Sequence, residues 1–314
     1  MIFNGENETK LHRDIFAEKM CKFFQEDEDV VYLDADLMEA FGMQKVWREY
    51  PNRAFNCGIS EANMIGMGAG LSLTGKKVFA HTFGSFAARR CYDQLFISIA
   101  YNRADIKLIG SDPGITASFN GGTHMPFEDM ALMRAIPKST VLEMSDGVMF
   151  GAVLEEVKDL RGLIYIRTTR KTYKKIYDNQ KFKIGGSHLL REGTDLVIYA
   201  CGMMVGEALE AAEILQNEKN ISAGVVDMYS VKPLDTEMIK ATAERAKAVI
   251  TCENHSVYGG LGDAVQSALF SLNILRPCVK IGIHDEFGEV GPVPYLQEKF
   301  GLRAADIVKV GAEI

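Results

Sequence analysis

Short apolar runs recur along the first half of this chain, at Val30–Leu33, Val78–Ala80, Ile106–Ile109, Val141–Met144 and Leu163–Ile166. Stretches with helical spacing lie between most of them, at Ala62–Leu73, Ser85–Tyr101 and Gly147–Leu160. Strands alternating with helices build an α/β domain with a largely parallel sheet. Such a sheet is covered on both faces, which accounts for continuous apolar runs rather than strict alternation. The polar, basic stretch TTRKTYKKIYDNQ at 168–180 lacks apolar periodicity and reads as a linker. A second α/β unit then begins with a strand at Leu196–Ala200 and a turn at Gly202. The next helix sets Ala208, Ala211, Ala212 and Leu215 on one face. Further strands are expected at Ala223–Met228, Ala248–Cys252 and Val279–Ile283, and a helix at Asp263–Leu272 after the GGLG turn at 259–262. A chain of 314 residues holds two cores of this kind, and the reading assigns them to 1–178 and 185–314.

Composition narrows the function. The formal net charge is −7 and no basic block occurs, which argues against nucleic acid as a partner. The six cysteines are widely separated, with no CxxC or Cys/His metal spacing, and read as reduced thiols of a cytoplasmic protein. The N-terminal MIFNGENETK is polar and acidic, unlike a signal peptide, and no apolar run reaches bilayer length. No membrane partner is expected.

Chemistry concentrates in NCGISEANMIGMGAGLSL at 56–73 and HTFGSF at 81–86. Ser60 takes a helix N-cap position and Glu61 opens the helix, whose Gly66, Gly68 and Gly70 permit close backbone approach. An acid there also has an ordinary explanation, since the helix dipole favours it by about 0.3–1 kcal/mol. Phe83 and Phe86 follow, three residues apart, and with Glu61 they offer a carboxylate and two aromatic faces to a flat, nitrogen-containing ring. By default both would be core residues.

The order of motifs decides between these readings. GISEANM at 58–64, TFGSF at 82–86, YDQ at 92–94, NGGTHMPFED at 120–129, RAIPKSTV at 134–141, YIRTTR at 165–170, KPLD at 232–235 and ENHSVYGGLG at 253–262 resemble the transketolase family. The resemblance runs in order through nearly the whole chain. The family's earlier diphosphate-binding domain, with its GDG…N metal motif, has no counterpart here, so the chain looks like the C-terminal half of a transketolase made as a separate polypeptide. The resemblance implies a pyrimidine-binding fold followed by a transketolase C-terminal domain. It also implies thiamine diphosphate as cofactor, with Mg2+ or another divalent cation held by a separate N-terminal subunit and no metal ligand in this chain. A dimer of this chain within a heterotetramer is the expected assembly. The expected reaction moves a two-carbon ketol unit from a ketose to an aldose.

Residue by residue, the resemblance gives Glu61 the hydrogen bond to pyrimidine N1′ that favours the imino tautomer. It places Phe83 and Phe86 around the ring and His81 near it. His124 is expected to bind substrate oxygens or transfer a proton. Arg167, at the end of the LIYIR strand, is expected to hold the sugar phosphate. His255 falls in the C-terminal domain, away from the cofactor, and reads as structural. Departures sit in the sugar half. The family's GEDGPTH is SFNGGTH at 118–124, which puts Phe119 and Asn120 in place of two acids. Asp112 replaces a phosphate-binding histidine, and Ala40 in DADLMEA a phosphate-binding serine. Asn120 and Asp112 are therefore expected at an altered substrate pocket. The rival readings are a deoxyxylulose-phosphate synthase relative, a relative of the 2-oxoacid dehydrogenase beta chains, and a non-catalytic partner that keeps only the fold.

Overall fold

A computed structural model describes residues 2–314 and contains two sheets. Its strands, in chain order, are β1 (Val30–Asp34), β2 (Ala54–Asn56), β3 (Lys77–Phe83), β4 (Ile106–Ser111), β5 (Thr140–Glu143) and β6 (Leu163–Thr168), then β7 (His188–Arg191), β8 (Leu196–Ala200), β9 (Ala223–Asp227), β10 (Ser230–Lys232), β11 (Ala248–Ser256) and β12 (Cys278–Ile283). The first sheet has the order β10-β5-β6-β4-β3-β1-β2 and the second β12-β11-β8-β9-β7. Of the pairings between these strands, β10–β5 and β7–β9 are antiparallel and the others parallel. The two-domain α/β architecture is the one expected. One strand crosses the division, however: β10 lies in the second half of the chain yet closes the edge of the first sheet.

The elements differ from the sequence reading in instructive places. Strand β3 continues past Ala80 to Phe83, so Phe83 ends a strand and stands directly before the next helix. The single helix expected over Ser85–Tyr101 is two elements, Gly84–Arg89 and a π-helical segment Gln94–Tyr101. A first helix, His12–Glu26, buries Phe16, Met20, Phe23 and Phe24. Their i, i+4, i+7, i+8 spacing forms a helical stripe. Among the three helix glycines, only Gly68 meets a neighbour: a Cβ there would touch Ile106, Leu33 and Val78 at 3.1–3.4 Å. Gly66 and Gly70 face open space.

The stretch 168–180 is not a solvated linker. Tyr173, Ile176 and Tyr177 are buried, and the backbone N–H groups of Ile176 and Tyr177 donate to the Asp146 carboxylate at 3.0 and 2.8 Å. The same carboxylate caps the helix Gly147–Val157 by accepting from Met149 N–H at 2.8 Å. Buried backbone groups need partners, and a buried acid supplies them here.

At this junction the Tyr177 hydroxyl donates to Asp227 at 2.8 Å, and burial pushes Asp227 up to about 8 from 3.8. The folded chain keeps a proton that the unfolded chain releases near pH 3.8. Its stabilising effect is therefore complete below the unfolded value and lost as pH rises through about 8. Asp227→Asn, a neutral mimic of the protonated acid, is expected to flatten the pH dependence of the urea midpoint across that window. An unchanged slope would show that Asp227 is ionised in the fold.

Candidate active site

Glu61 opens the helix Glu61–Leu73 and is only 4% exposed. Ser60 stands at the N-cap but makes no side-chain capping bond, so the local sequence sets Glu61 at the helix start without a cap holding it. Arg90 does hold it: its Nη1 donates to Glu61 Oε1 at 2.9 Å. The Arg90 guanidinium also lies over Phe86, 3.6 Å from the ring centroid. Phe83, at the C-terminal end of β3, meets Phe86 edge-on at 6.0 Å and 75°. His124 packs edge-on against both rings, at 5.5 and 5.0 Å. Glu61, the Phe83–Phe86 segment and His124 thus come from three parts of the chain to one place, at the C-terminal end of a parallel strand, where α/β sheets bind ligands.

The electrostatics suit proton handling. Burial, and then the positive charges of Arg90, Arg170 and Arg89, hold His124 below the ordinary histidine value. Its imidazole is therefore neutral near pH 7 and keeps an acceptor nitrogen. The other ring contact is Nδ1 with the Thr123 hydroxyl at 2.9 Å. A planar ring with a nitrogen edge fits here on one direct observation: the planar, hydrogen-bonding guanidinium of Arg90 already lies over Phe86 with a nitrogen on Glu61. Arg90 is 45% exposed along its side chain, which leaves it free to turn outward.

The loop that carries His124 is held by the second domain. Asn254, in β11, accepts the Ile115 N–H at 3.0 Å and donates to the Pro113 carbonyl at 2.9 Å. The Ser118 hydroxyl donates to the Gly291 carbonyl at 3.1 Å. Gly114 has φ +52°, and a Cβ there would collide with the Asn254 side chain. Ser118, at φ 54° and ψ −113°, is strained for a residue with a side chain, and the cross-domain bond holds it there.

Several expected site residues are elsewhere. Arg167 is completely buried, with Nε on Asp129 at 2.7 Å, Nη1 paired with Glu143 at 2.6 Å and Nη2 donating to the Asn254 carbonyl at 3.1 Å. It has no face left for a substrate and serves as an internal tie between the domains. His81 is also completely buried. It bridges Asp34 at 3.0 Å and Ser111 at 2.9 Å and stacks on Phe41 at 3.7 Å, so both ring nitrogens already have partners inside the protein. Asp112, 1% exposed, is turned toward Arg170. Its carboxylate accepts Arg170 N–H at 3.0 Å and Nε at 2.7 Å. Asn120 lies exposed at the loop rim next to Phe119. His255 is buried between Asp129 and Glu253 and is pushed down to about 4 by burial, in keeping with a structural role.

Sequence reasoning missed Arg170 and Arg90. Arg170 has its guanidinium 4.8 Å from the Phe83 centroid and is the accessible arginine of the IRTTR string. Arg90 sits just ahead of the YDQ segment, where nothing in the local pattern marks it.

Residues 9–175 match the family model of the transketolase pyrimidine-binding domain, and residues 185–307 that of the transketolase C-terminal domain. The chain is 44% identical over 303 residues to the 6-deoxy-6-sulfo-D-fructose transketolase subunit SqwH of Clostridium sp. (strain MSTE9), covering 96% of this chain and 94% of that protein. It is 31% identical over 303 residues to one of the subunits of an apulose-4-phosphate transketolase from Phocaeicola vulgatus, covering 96% of each. A solved structure described as a split gene transketolase, inactive beta4 tetramer, aligns with a TM-score of 0.87 at 37% identity, covering 96% of this chain and 97% of that one.

Proposed function

The chain belongs to the transketolase family, as a subunit of the split kind, and from that premise we propose that it transfers a two-carbon ketol unit from an anionic ketose to an aldose. It does so joined to a separate subunit that holds the diphosphate and its divalent cation. The observation that carries this reading is the convergence of Glu61, Phe83, Phe86 and His124 beside one another at the C-terminal end of β3. Thiamine diphosphate, when bound, supplies a carbanion at its thiazolium carbon. The chain's own residues do the rest. Glu61 holds the proton on the ring nitrogen that faces it, in a site dry enough for that bond to be strong. Phe83 and Phe86 wall the ring and exclude water. His124, uncharged near neutral pH, takes and returns the proton of a substrate hydroxyl. Arg170 meets the anionic end of the ketose, with Asn120 at the rim.

A further feature supports the assembly. Ile59, Met67, Leu73, Ile97 and Tyr101 are 38–78% exposed, on or beside the helix Glu61–Leu73 and the segment Gln94–Tyr101 that packs against it. An apolar face of this kind suits a subunit contact, here between copies of this chain within a heterotetramer. The relatives named for 6-deoxy-6-sulfo-D-fructose and for apulose 4-phosphate support an anionic ketose. All six cysteines are free, in keeping with the cytoplasm, and among the described residues no helix is long and apolar enough to cross a membrane.

The test is reconstitution. Purified chain with cofactor and magnesium is expected to show no ketol transfer from a ketose to an aldose, and addition of the diphosphate-binding subunit is expected to restore it, read by mass spectrometry of the shortened and lengthened sugars. Full turnover by the chain alone rejects the split-subunit reading. Turnover of pyruvate instead of a ketose rejects ketol transfer.

A further inference from the structure

Resting on the ketol-transfer reading, we propose that Asp112 makes the pocket select a ketose whose far end carries one negative charge, such as a sulfonate, over one ending in a dianionic phosphate. Three guanidinium groups surround His124, and each already has a carboxylate. Arg89 pairs with Glu128 at 3.4 Å, Arg90 with Glu61 at 2.9 Å and Arg170 with Asp112 at 2.7 Å. The Arg170–Asp112 pair stays when a ring takes the place of Arg90 on Glu61, and it is charge-balanced before any substrate enters. A ligand with two negative charges meets, at Arg170, a cation that Asp112 already compensates.

Asp112 differs from the other two carboxylates in position. It is 1% exposed and sits behind Arg170, taking Nε and Nη2 at 2.7 Å and the backbone N–H at 3.0 Å. This two-pronged contact fixes the guanidinium over Phe83 and leaves Nη1 and the outer edge for a ligand. The same contact cancels the charge that Arg170 would otherwise offer. A monoanion gains charge-assisted hydrogen bonds from Arg170 and meets the Asp112 charge once, whereas a dianion meets it twice, beside the Phe83 ring, which weakens screening. Asp112 never touches the substrate. It sets specificity through Arg170.

Asp112→Asn removes the charge and retains an acceptor for Arg170. It also suits the backbone, because Asp112 has φ 54° and asparagine is at ease in that region. In the reconstituted pair, a ketohexose 6-sulfonate is expected to exceed the ketohexose 6-phosphate of the same configuration in kcat/KM by tenfold or more. Asp112→Asn is expected to reduce that ratio at least tenfold, through a lower KM for the phosphate. A purely structural role for Asp112 would weaken both substrates and leave the ratio alone. Calorimetric binding of the matching alditol phosphate and alditol sulfonate, which cannot react, gives a readout independent of turnover. Equal binding of the two alditols, or a ratio indifferent to the substitution, overturns the filter. Turnover of neither ketose, with the sulfonate still preferred in binding, overturns ketol transfer while supporting the filter.

Discussion

Replacing Glu61 with alanine in the reconstituted enzyme is expected to lower kcat by ~10²–10⁴-fold, the usual scale for a lost proton-handling group. The fold is expected to survive. Glu61 stands at the first helical position, and its one partner, Arg90, is 45% exposed and returns to water once the carboxylate is gone. An exposed or half-exposed ion pair contributes about 0–1 kcal/mol, so the melting temperature should move little. Loss of turnover without loss of stability separates a catalytic acid from a helix-dipole acid, whose removal would cost a little stability and no rate. The sharpest readout is hydrogen–deuterium exchange at the thiazolium carbon of the bound cofactor. Wild-type exchange in Glu61→Ala would remove Glu61 from the proton path.

Arg167→Met is expected to act the opposite way, destabilising the fold by about 3–5 kcal/mol, because it leaves buried carboxylates without their cation. Asp129 and Glu143 are both fully buried, and burial already raises Glu143 above its ordinary value even with Arg167 beside it. Without Arg167 the buried Glu143 would have to take up a proton to stay inside, so the deficit should grow as pH rises. Urea unfolding of the two proteins checks this. Arg170→Met is the control: that guanidinium is 22% exposed, and its loss is expected to raise the donor KM with a smaller change in stability. A wild-type urea midpoint for Arg167→Met, together with a raised donor KM, would return the substrate role to Arg167.

These two arginines show where sequence reading stops. Both occur in IRTTR, three residues apart, and either chemistry suits an anion. The apolar run of β6 stops at Ile166, which on the sequence alone puts Arg167 at the ligand-binding edge. Strand pairing runs on to Thr168, and the second domain packs Asn254 and β11 over that end. Those two extra residues of pairing, with one domain contact, turn a candidate ligand residue into an internal tie. His81 departs from expectation for a related reason. It lies in β3 next to the TF motif, but its side chain points to the face where Asp34, Ser111 and Phe41 close around it.

The sequence by itself determined the two α/β units, the run of parallel strands, and the kinship written in motifs from GISEANM to GGLG. It could do so because apolar periodicity and motif order are local along the chain and survive without coordinates. It also singled out Glu61, Phe83, Phe86 and His124 by the motifs they stand in, and the fold brings these four side by side. Only the tertiary structure decided which charged side chains face the pocket and which are sealed beneath it. Arg167 pairs with Asp129 and Glu143, Arg170 with Asp112, and Arg90 with Glu61, and in every case the partner comes from a different segment of the chain. Burial and charge pairing are set by what other segments bring alongside, and no spacing within one segment encodes them.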